Sequence, residues 1–497
     1  MPHRRTLFLP EDALQGAKKE HTVELEAVRI VGGNERAALH IEVDNPHHYL
    51  IIPKSWHMCA RPHESEPYLL AAKVARKRDT FRDPRGEGSV PDSYNFFKIT
   101  NVVNRAFAFI GMQPDGTGIG EIRFARNSRS VEVTFERNRM NVARNEDPPP
   151  IKVVISNDAS AYAHKDLEER VRSASPRGSE IIWFSWPVYG RNIEERSILR
   201  EAQAAAEMPE DARPTTLLID DGHTSHHGDT LMDRRRFPDP RGTVRRIKDL
   251  GLKAGVWEPL TLVSKNSRLA KERRHWLVKD RKGKAARVAY YLPTGKTVPP
   301  LIAPLGLDIS IPEVREHIAE KIKRYEDLGF GVIKLDFMAA CFVGELQCRE
   351  RTPLEYYHEL FALINQKLMD ETILIGSQGP LVESVGVDLI RSTMDSATPP
   401  IPLFAGRVSS DMYSQAATMA GRRKFLGPRG VLDGIHLRGS GIIADGVAQA
   451  VNPTLVSSGY RHMFIGDSLA AVGRKGRKEW SAFIRRFRER SSRLRAH

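Results

Sequence analysis

Cysteine is scarce: Cys59, Cys341 and Cys348 are all that the 497-residue chain contains. So few thiols, odd in number, exclude a disulfide-stapled scaffold and fit free cysteines in a reducing compartment. Cys341 and Cys348 are separated by six residues, which is not a zinc-ligand spacing, and both are expected to be quiet thiols. Long apolar runs are missing too. No stretch of about 18 apolar residues appears, so no membrane-spanning helix is expected. The opening MPHRRTLFLPEDALQ carries two arginines but only a short apolar stretch before Pro10 and Glu11, too little for the core of a secretory signal. The expected location is the cytoplasm.

Positive charge is in excess, at a net +14. From Ala471 to His497 there are ten Lys or Arg and only two Glu, so more than half of that excess lies in the last 27 residues. This stretch reads as a solvated, partly helical basic tail. A polyanion such as nucleic acid is the sharper reading of the same residues. Without interleaved aromatics or a nucleic-acid motif, it is not the expected partner. The residues do not specify an oligomeric state.

With 40% hydrophobic residues the chain can bury a large core and has room for two or three domains. Residues 1–150 read as strands: LEAVRIVG, AALHIEVD, FFKITNVV, AFAFIGM, GEIRFAR and SVEVTFE are short, rich in β-formers and separated by turn residues. An N-terminal β-sandwich is expected, ending at NEDPPPIK, with residues 151–180 as a linker. From 181 to 470 short apolar runs alternate with amphipathic stretches. The predicted strands are 181–186, 215–221, 253–257, 331–337, 372–378, 388–395, 423–427 and 461–467. Helices are predicted between them, as in PEVREHIAEKIKRYEDL, where Pro312 suits a first turn and Gly329 a stop. Eight such repeats over roughly 300 residues suggest an α/β protein with a (β/α)₈ TIM barrel. A doubly wound open sheet competes, but no glycine-rich phosphate loop or dinucleotide fingerprint follows the first strand. Residues 471–497 complete the division as a basic C-terminal helix or tail.

In a barrel, function gathers at the C-terminal ends of the strands. Here those ends carry Trp186, Asp220 and Asp221, Trp257, Asp336, Ser377 and Gln378, Asp395 and Asp467. Any one of these aspartates could be a helix cap or turn former; the set converging on one mouth suggests chemistry. Glycoside hydrolysis requires two carboxyl groups flanking an anomeric carbon. In Lys334-Leu335-Asp336, strand alternation puts the lysine on the carboxylate's face, where its ammonium would keep Asp336 ionised. His223, His226, His227 and Asp229 cluster in one loop without a zinc-site pattern, so no metal is expected there.

The ordered series of motifs over residues 180–470 resembles the α-galactosidases of glycoside hydrolase family 36, the melibiase-like enzymes of clan D. It runs from Ser185-Trp186 through LLIDDGHTSHHGD, Phe237-Pro238, GVWEPLTLVSKNSRL, RRHWLVKD and LDIS to IKLDF, then to ILIGSQGPLVESVGVDLIRSTMDSATP. The resemblance implies that Asp336 is the nucleophile and Asp395 the acid/base. It implies that Asp220 and Asp221 bind the O4 and O6 side of the sugar, and Lys334 and Arg391 the O2 and O3 side. Trp186 and Trp257 would form apolar walls, and Ser377, where the family commonly has cysteine, would sit beside the C2 substituent. No metal or other cofactor is implied, and a carbohydrate is the implied partner. The implied activity is retaining hydrolysis of terminal α-linked sugars by double displacement, which requires carboxyl groups about 5–5.5 Å apart. Transglycosylation on the same site and a catalytically silent carbohydrate- or polyanion-binding barrel remain alternatives. Two departures stand out. His223 replaces an aromatic after the Asp-Asp pair and is expected to be a solvent-facing loop residue. GPRGVLDGIHLRG (427–439) matches the family only loosely and reads as an altered loop.

Overall fold

Strands such as FFKITN and IKVVIS are apolar on both faces, and the two faces have different partners. In a computed structural model of the chain, the N-terminal region is described at residues 5–9, 21–29, 35–43, 49–53, 68–69, 93–94, 96–101, 106–113, 118–126, 130–138 and 150–157. The remainder is described at 178–229, 232–280, 282–288, 304–338, 340–377, 386–391, 429–437 and 460–493. Two six-stranded sheets form the N-terminal unit. One runs Arg5–Leu9, Glu35–Val43, Ser130–Asn138, Ile119–Arg126, Ser93–Tyr94, with Val28–Arg29 added on Glu35–Val43. The other runs His21–Leu25, Ile151–Ser156, Phe107–Met112, Phe96–Asn101, Tyr49–Pro53, Tyr68–Leu69.

Leu39, Ile41, Val133 and Phe135 of the first sheet share one core with Phe97, Ile99, Ile110 and Val153 of the second. Their sequence neighbours Phe96, Phe109 and Val154 point the opposite way and join the barrel core. A strand's period of two thus lets one sheet serve as sandwich half and docking face together. This also corrects the expected boundary. Ile151–Ser156 is not linker but a strand within the second sheet, with Ile151 opposite Leu25 and Val153 opposite Met112. Its IKVVIS sequence supplies apolar side chains to both faces, so it is buried from both sides.

Eight parallel strands close the barrel: β1 (Ile181–Phe184), β2 (Thr216–Ile219), β3 (Lys253–Pro259), β4 (Val332–Asp336), β5 (Ile373–Gly376), β6 (Leu389–Arg391), β7 (Gly430–Ile435) and β8 (His462–Ile465). Ile182, Phe184, Leu218, Trp257, Val332, Ile375, Leu389, Val431 and Phe464 fill the lumen, while the alternate residues pack outward against helices. Among those helices are α1 (Glu195–Ala206), α2 (Pro240–Asp249), α3 (Pro312–Asp327) and α4 (Pro353–Lys367), α3 lying where the PEVREHIAEKIKRYEDL pattern predicted it. Gly329 stops α3 with φ of 101°, a left-handed conformation that favours glycine. Thr352 and Glu355 form a capping box that starts α4. None of the helices among the described residues is long and apolar enough to cross a membrane.

Two expectations change here. The strand predicted at 423–427 lies outside the described residues, and the seventh barrel strand is β7, inside the segment read as a loop. Asp433-Gly434 resembles a turn in sequence, but the register shift between Leu432 and Ile435 absorbs it as a bulge, with Gly434 at φ of 39°. The basic C-terminal stretch is no free tail either. Gly473–Arg493 is a helix, α5, whose Trp480, Phe483, Ile484 and Phe487 are buried in the barrel core. It packs on the barrel after the eighth strand, with Arg474, Lys475, Lys478, Arg486 and Arg490 exposed.

Candidate active site

Asp336 ends β4 and is only 4% exposed. Trp257, on the neighbouring strand β3, donates its indole Nε1–H to Asp336 Oδ2 at 3.0 Å. The backbone N–H of Phe337 donates to Oδ1 at 2.9 Å. Phe337 itself has φ of 48°, unusual for a residue with a side chain, and this left-handed step accompanies the backbone N–H that reaches the carboxylate. Leu260 N–H and Thr261 Oγ1 bond the carbonyls of Asp336 and Phe337 at 2.9 and 3.3 Å, so the turn is tied down from β3. Each carboxylate oxygen accepts a fixed donor. Such a group is held in one orientation and can use its remaining lone pairs on a substrate.

Lys334, two residues back on the same lumen face, places its ammonium 2.8 Å from Asp220 Oδ2 at the end of β2. It also lies over the rings of Phe184 and Phe464, at 5.2 and 5.6 Å. The lysine read as the partner of Asp336 therefore bridges to Asp220 across the lumen. Asp220 further accepts the N–H of Asp221 at 2.8 Å, and its own N–H donates to Ser185 Oγ at 2.9 Å. Burial pushes the Asp220 carboxyl above the ordinary range; Lys334 opposes this, and the nearby charge of Asp336 adds to it. Asp221 behaves oppositely. Burial pushes it up, but the His227 hydrogen bond and charge, with Arg191, outweigh this and hold it low. His227 Nε2 is 2.9 Å from Asp221 Oδ1, and Arg191 Nε is 3.5 Å from the same oxygen.

His223 is not solvent-facing. It is fully buried, with Nδ1 3.1 Å from the carbonyl of Asp220 and Nε2 3.2 Å from the Tyr325 hydroxyl. Tyr325 donates to Glu258 at 3.0 Å, and Lys321 reaches the other Glu258 oxygen at 2.6 Å. This buried chain from α3 props the β2 loop and packs the imidazole edge-on against Trp257. Burial pushes the His223 imidazole down to about 4. Its unfolded counterpart takes up a proton below about 6.5, so the stability it contributes is present above that pH and is lost as pH falls towards 4. Between pH 7 and 5, denaturant titration should show the wild type losing about 2 kcal/mol more than His223→Gln. Equal losses in the two proteins would refute this assignment.

The other predicted residues divide clearly. Trp186 and Trp257 both contact the lumen cluster. Ser377 follows β5 on the lumen face, and its buried hydroxyl has no hydrogen-bond partner among the described residues. Arg391 closes β6 and is buried on the same face as Leu389. Asp395 lies outside the described residues. Of the clustered loop residues, His223 and His227 are engaged as above, and Asp229 accepts the N–H of Arg268 at 2.8 Å. Among the described residues, no group of three or more His, Cys, Asp or Glu side chains is placed to hold a metal. Burial pushes the Cys341 thiol up, and Cys348 accepts the Tyr356 hydroxyl at 2.9 Å. Sequence reasoning missed His227 and Arg191 as partners of Asp221, and it treated Trp257 as a wall, overlooking its donation to Asp336. It also missed His436, after β7, which pairs with Asp467, after β8, at 3.0 Å.

A β-sandwich packed on a closed (β/α)₈ barrel, with buried aspartates, a lysine and tryptophans at the C-terminal mouth, has the fold of the family 36 α-galactosidases. The α-galactosidase TtGalA from Thermus thermophilus, solved with p-nitrophenyl α-D-galactopyranoside and with stachyose, matches with a TM-score of 0.65 and 16% identity. With the former ligand, the match covers 94% of this chain and 92% of that one. The family 36 α-galactosidase AgaA from Geobacillus stearothermophilus matches with a TM-score of 0.59 and 13% identity, over 94% of this chain and 66% of its own. In sequence, the chain is 27% identical over 112 residues to the myogenesis-regulating glycosidase of Mus musculus, a match spanning 21% of this chain and 15% of the mouse protein. No protein-family model matches the chain.

Proposed function

We propose that the protein is a retaining α-glycosidase of the α-galactosidase type. The observation that carries the proposal is the Asp336 carboxylate, fixed at the barrel mouth by Trp257 and Phe337 beside the Lys334–Asp220 pair. Asp336 attacks the anomeric carbon while Asp395 protonates the leaving oxygen, forming a glycosyl ester. Asp395 then takes a proton from water, which attacks the same carbon and restores the α configuration. Asp220 and Asp221 accept hydrogen bonds from the O4 and O6 side of the sugar. Lys334 and Arg391 serve its O2 and O3 side, Trp186 and Trp257 its faces, and Ser377 the space beside C2. In this scheme Lys334 pairs with Asp220, and the nucleophile's negative charge faces the positive charge that develops in the oxocarbenium-like transition state.

Galactose is the proposed sugar, supported by the ligands of TtGalA. The test is a screen of p-nitrophenyl α-glycosides (galactoside, N-acetylgalactosaminide, glucoside, rhamnoside), with NMR following the first sugar released. Cleavage of the galactoside with α-galactose appearing first is expected. A β-configured first product would overturn retention, and cleavage of none of the four would overturn the glycosidase reading.

A further inference from the structure

At the outer edge of the mouth, an arginine beside Asp221 carries donors that the protein does not use. Asp221 Oδ1 meets His227 Nε2 at 2.9 Å and Arg191 Nε at 3.5 Å. The second contact is an ion pair without a hydrogen bond, and the Arg191 guanidinium donates to none of the described residues. Exposure orders these groups by depth. The side chains of Asp220, Asp221, His227 and Arg191 are 3%, 11%, 15% and 49% exposed. Arg191 therefore stands on the rim, further out than the aspartate it accompanies.

The backbone is built to hold it there. Arg191 follows the short helix Trp186–Tyr189 at the end of β1, and Gly222 follows Asp221 after β2. Gly222 has φ of 116°, and a Cβ on it would stand 2.6 Å from Arg191 Cα. Only glycine at 222 lets the two loops approach so closely. Arg236 donates to the carbonyls of both Arg191 and Gly222, pinning one loop on the other. Among the described residues, Arg236 has no carboxylate in ion-pair range. Two guanidiniums thus share an edge on which Asp221 balances Arg191 and no ion pair balances Arg236.

We infer that the terminal sugar of the substrate carries a sulfate or phosphate ester on O6, and that Arg191 binds its oxyanion. The inference rests on the glycosidase reading, in which Asp221 serves the O4 and O6 side of the sugar, and it narrows the substrate class. In that reading a hydroxyl on C6 ends at Asp221, whereas an ester on the same oxygen extends outward to the rim. There a planar guanidinium offers paired N–H donors that match two oxygens of such a group, which a point charge cannot do. Asp221 already meets His227 and Arg191, so an added oxyanion draws on the surplus charge of Arg236. An ion pair for its own sake would explain little. At 3.5 Å and half-exposed, Arg191 with Asp221 adds next to nothing to stability. The glycine and arginine that fix its backbone gain a purpose when the side chain receives a ligand.

The test compares kcat/KM on p-nitrophenyl α-galactoside, its 6-sulfate and its 6-phosphate for wild type, R191M and R191K. The wild type should cleave at least one ester about tenfold to a hundredfold better than the neutral glycoside. Whichever ester is preferred tells sulfate from phosphate. In R191M the preference should disappear, and R191K, which keeps the charge but not the fork, should retain part of it. The ratio of ester to neutral glycoside is the readout, because a loss of folded or active protein cancels from it. If R191M does not fold, R191K carries the same comparison. Wild-type protein that prefers neither ester, or an ester preference unchanged in the variants, would overturn the inference while leaving the glycosidase reading intact. Cleavage of none of the three by the wild type would overturn the α-galactosidase type proposed above, and this inference with it.

Discussion

Asp336→Ala should lower kcat/KM on the best aryl α-glycoside by about 10⁴-fold or more, while the variant melts cooperatively near the wild-type temperature. The activity loss follows from removing the carboxylate proposed to form the glycosyl ester. The modest stability change follows from opposing effects. Trp257 Nε1 and Phe337 N each lose an acceptor, at about 1–3 kcal/mol apiece if left buried and unpaired. Against this, Asp220 loses a neighbouring charge that raises its carboxyl. Added azide or formate provides a second readout. A small anion entering the space of the missing carboxylate attacks from the same face, so it should restore turnover and give a product of inverted configuration. A folded, fully active variant would show that Asp336 is not the nucleophile.

The second large effect is on folding. In Lys334→Met, an ammonium 2.8 Å from a buried carboxylate is lost with little change in volume. An uncompensated buried charge costs about 3–5 kcal/mol, so the variant should be destabilised by that order at pH 7 and inactive. Asp220 already titrates above its ordinary range with Lys334 present, and without it the folded carboxyl rises further. A folded pKa raised above the unfolded one means proton uptake on folding. The deficit should therefore shrink as pH falls towards about 4 and be greatest above the raised value. Adding Asp220→Asn should recover stability at pH 7 but not activity. A Lys334→Met protein as stable as wild type at pH 7 would remove Lys334 from the core of the site.

Much of this arrangement was legible in the sequence because strand periodicity is a local property. The pattern of GVIKLDF places Lys334 and Asp336 on one face of β4, and the structure puts both in the mouth. What escaped depends on depth and on partners distant in the chain. His223 lies in a polar loop by composition, yet α3 covers it through Tyr325. β7 was hidden because its bulge uses Asp433-Gly434, the residues that elsewhere make a turn. With β7 unread, His436 had no strand end on which to be placed. The basic residues of α5 drew attention away from Trp480, Phe483, Ile484 and Phe487, spaced as one buried helix face. Asp395, one half of the proposed catalytic pair, rests on its motif alone.

The docking of α5 has a consequence for how the protein is made. Trp480 holds Asp467, and Asp467 holds His436, so one wall of the mouth is braced by a residue translated after all eight strands. A nascent chain can have every aspartate of the site outside the ribosome and still lack the brace that sets this wall. The sandwich, complete by Ser156, can fold much earlier and offer Phe96, Phe109 and Val154 as a platform on which the barrel assembles. Synthesis thus runs from platform to brace, and the mouth is finished last.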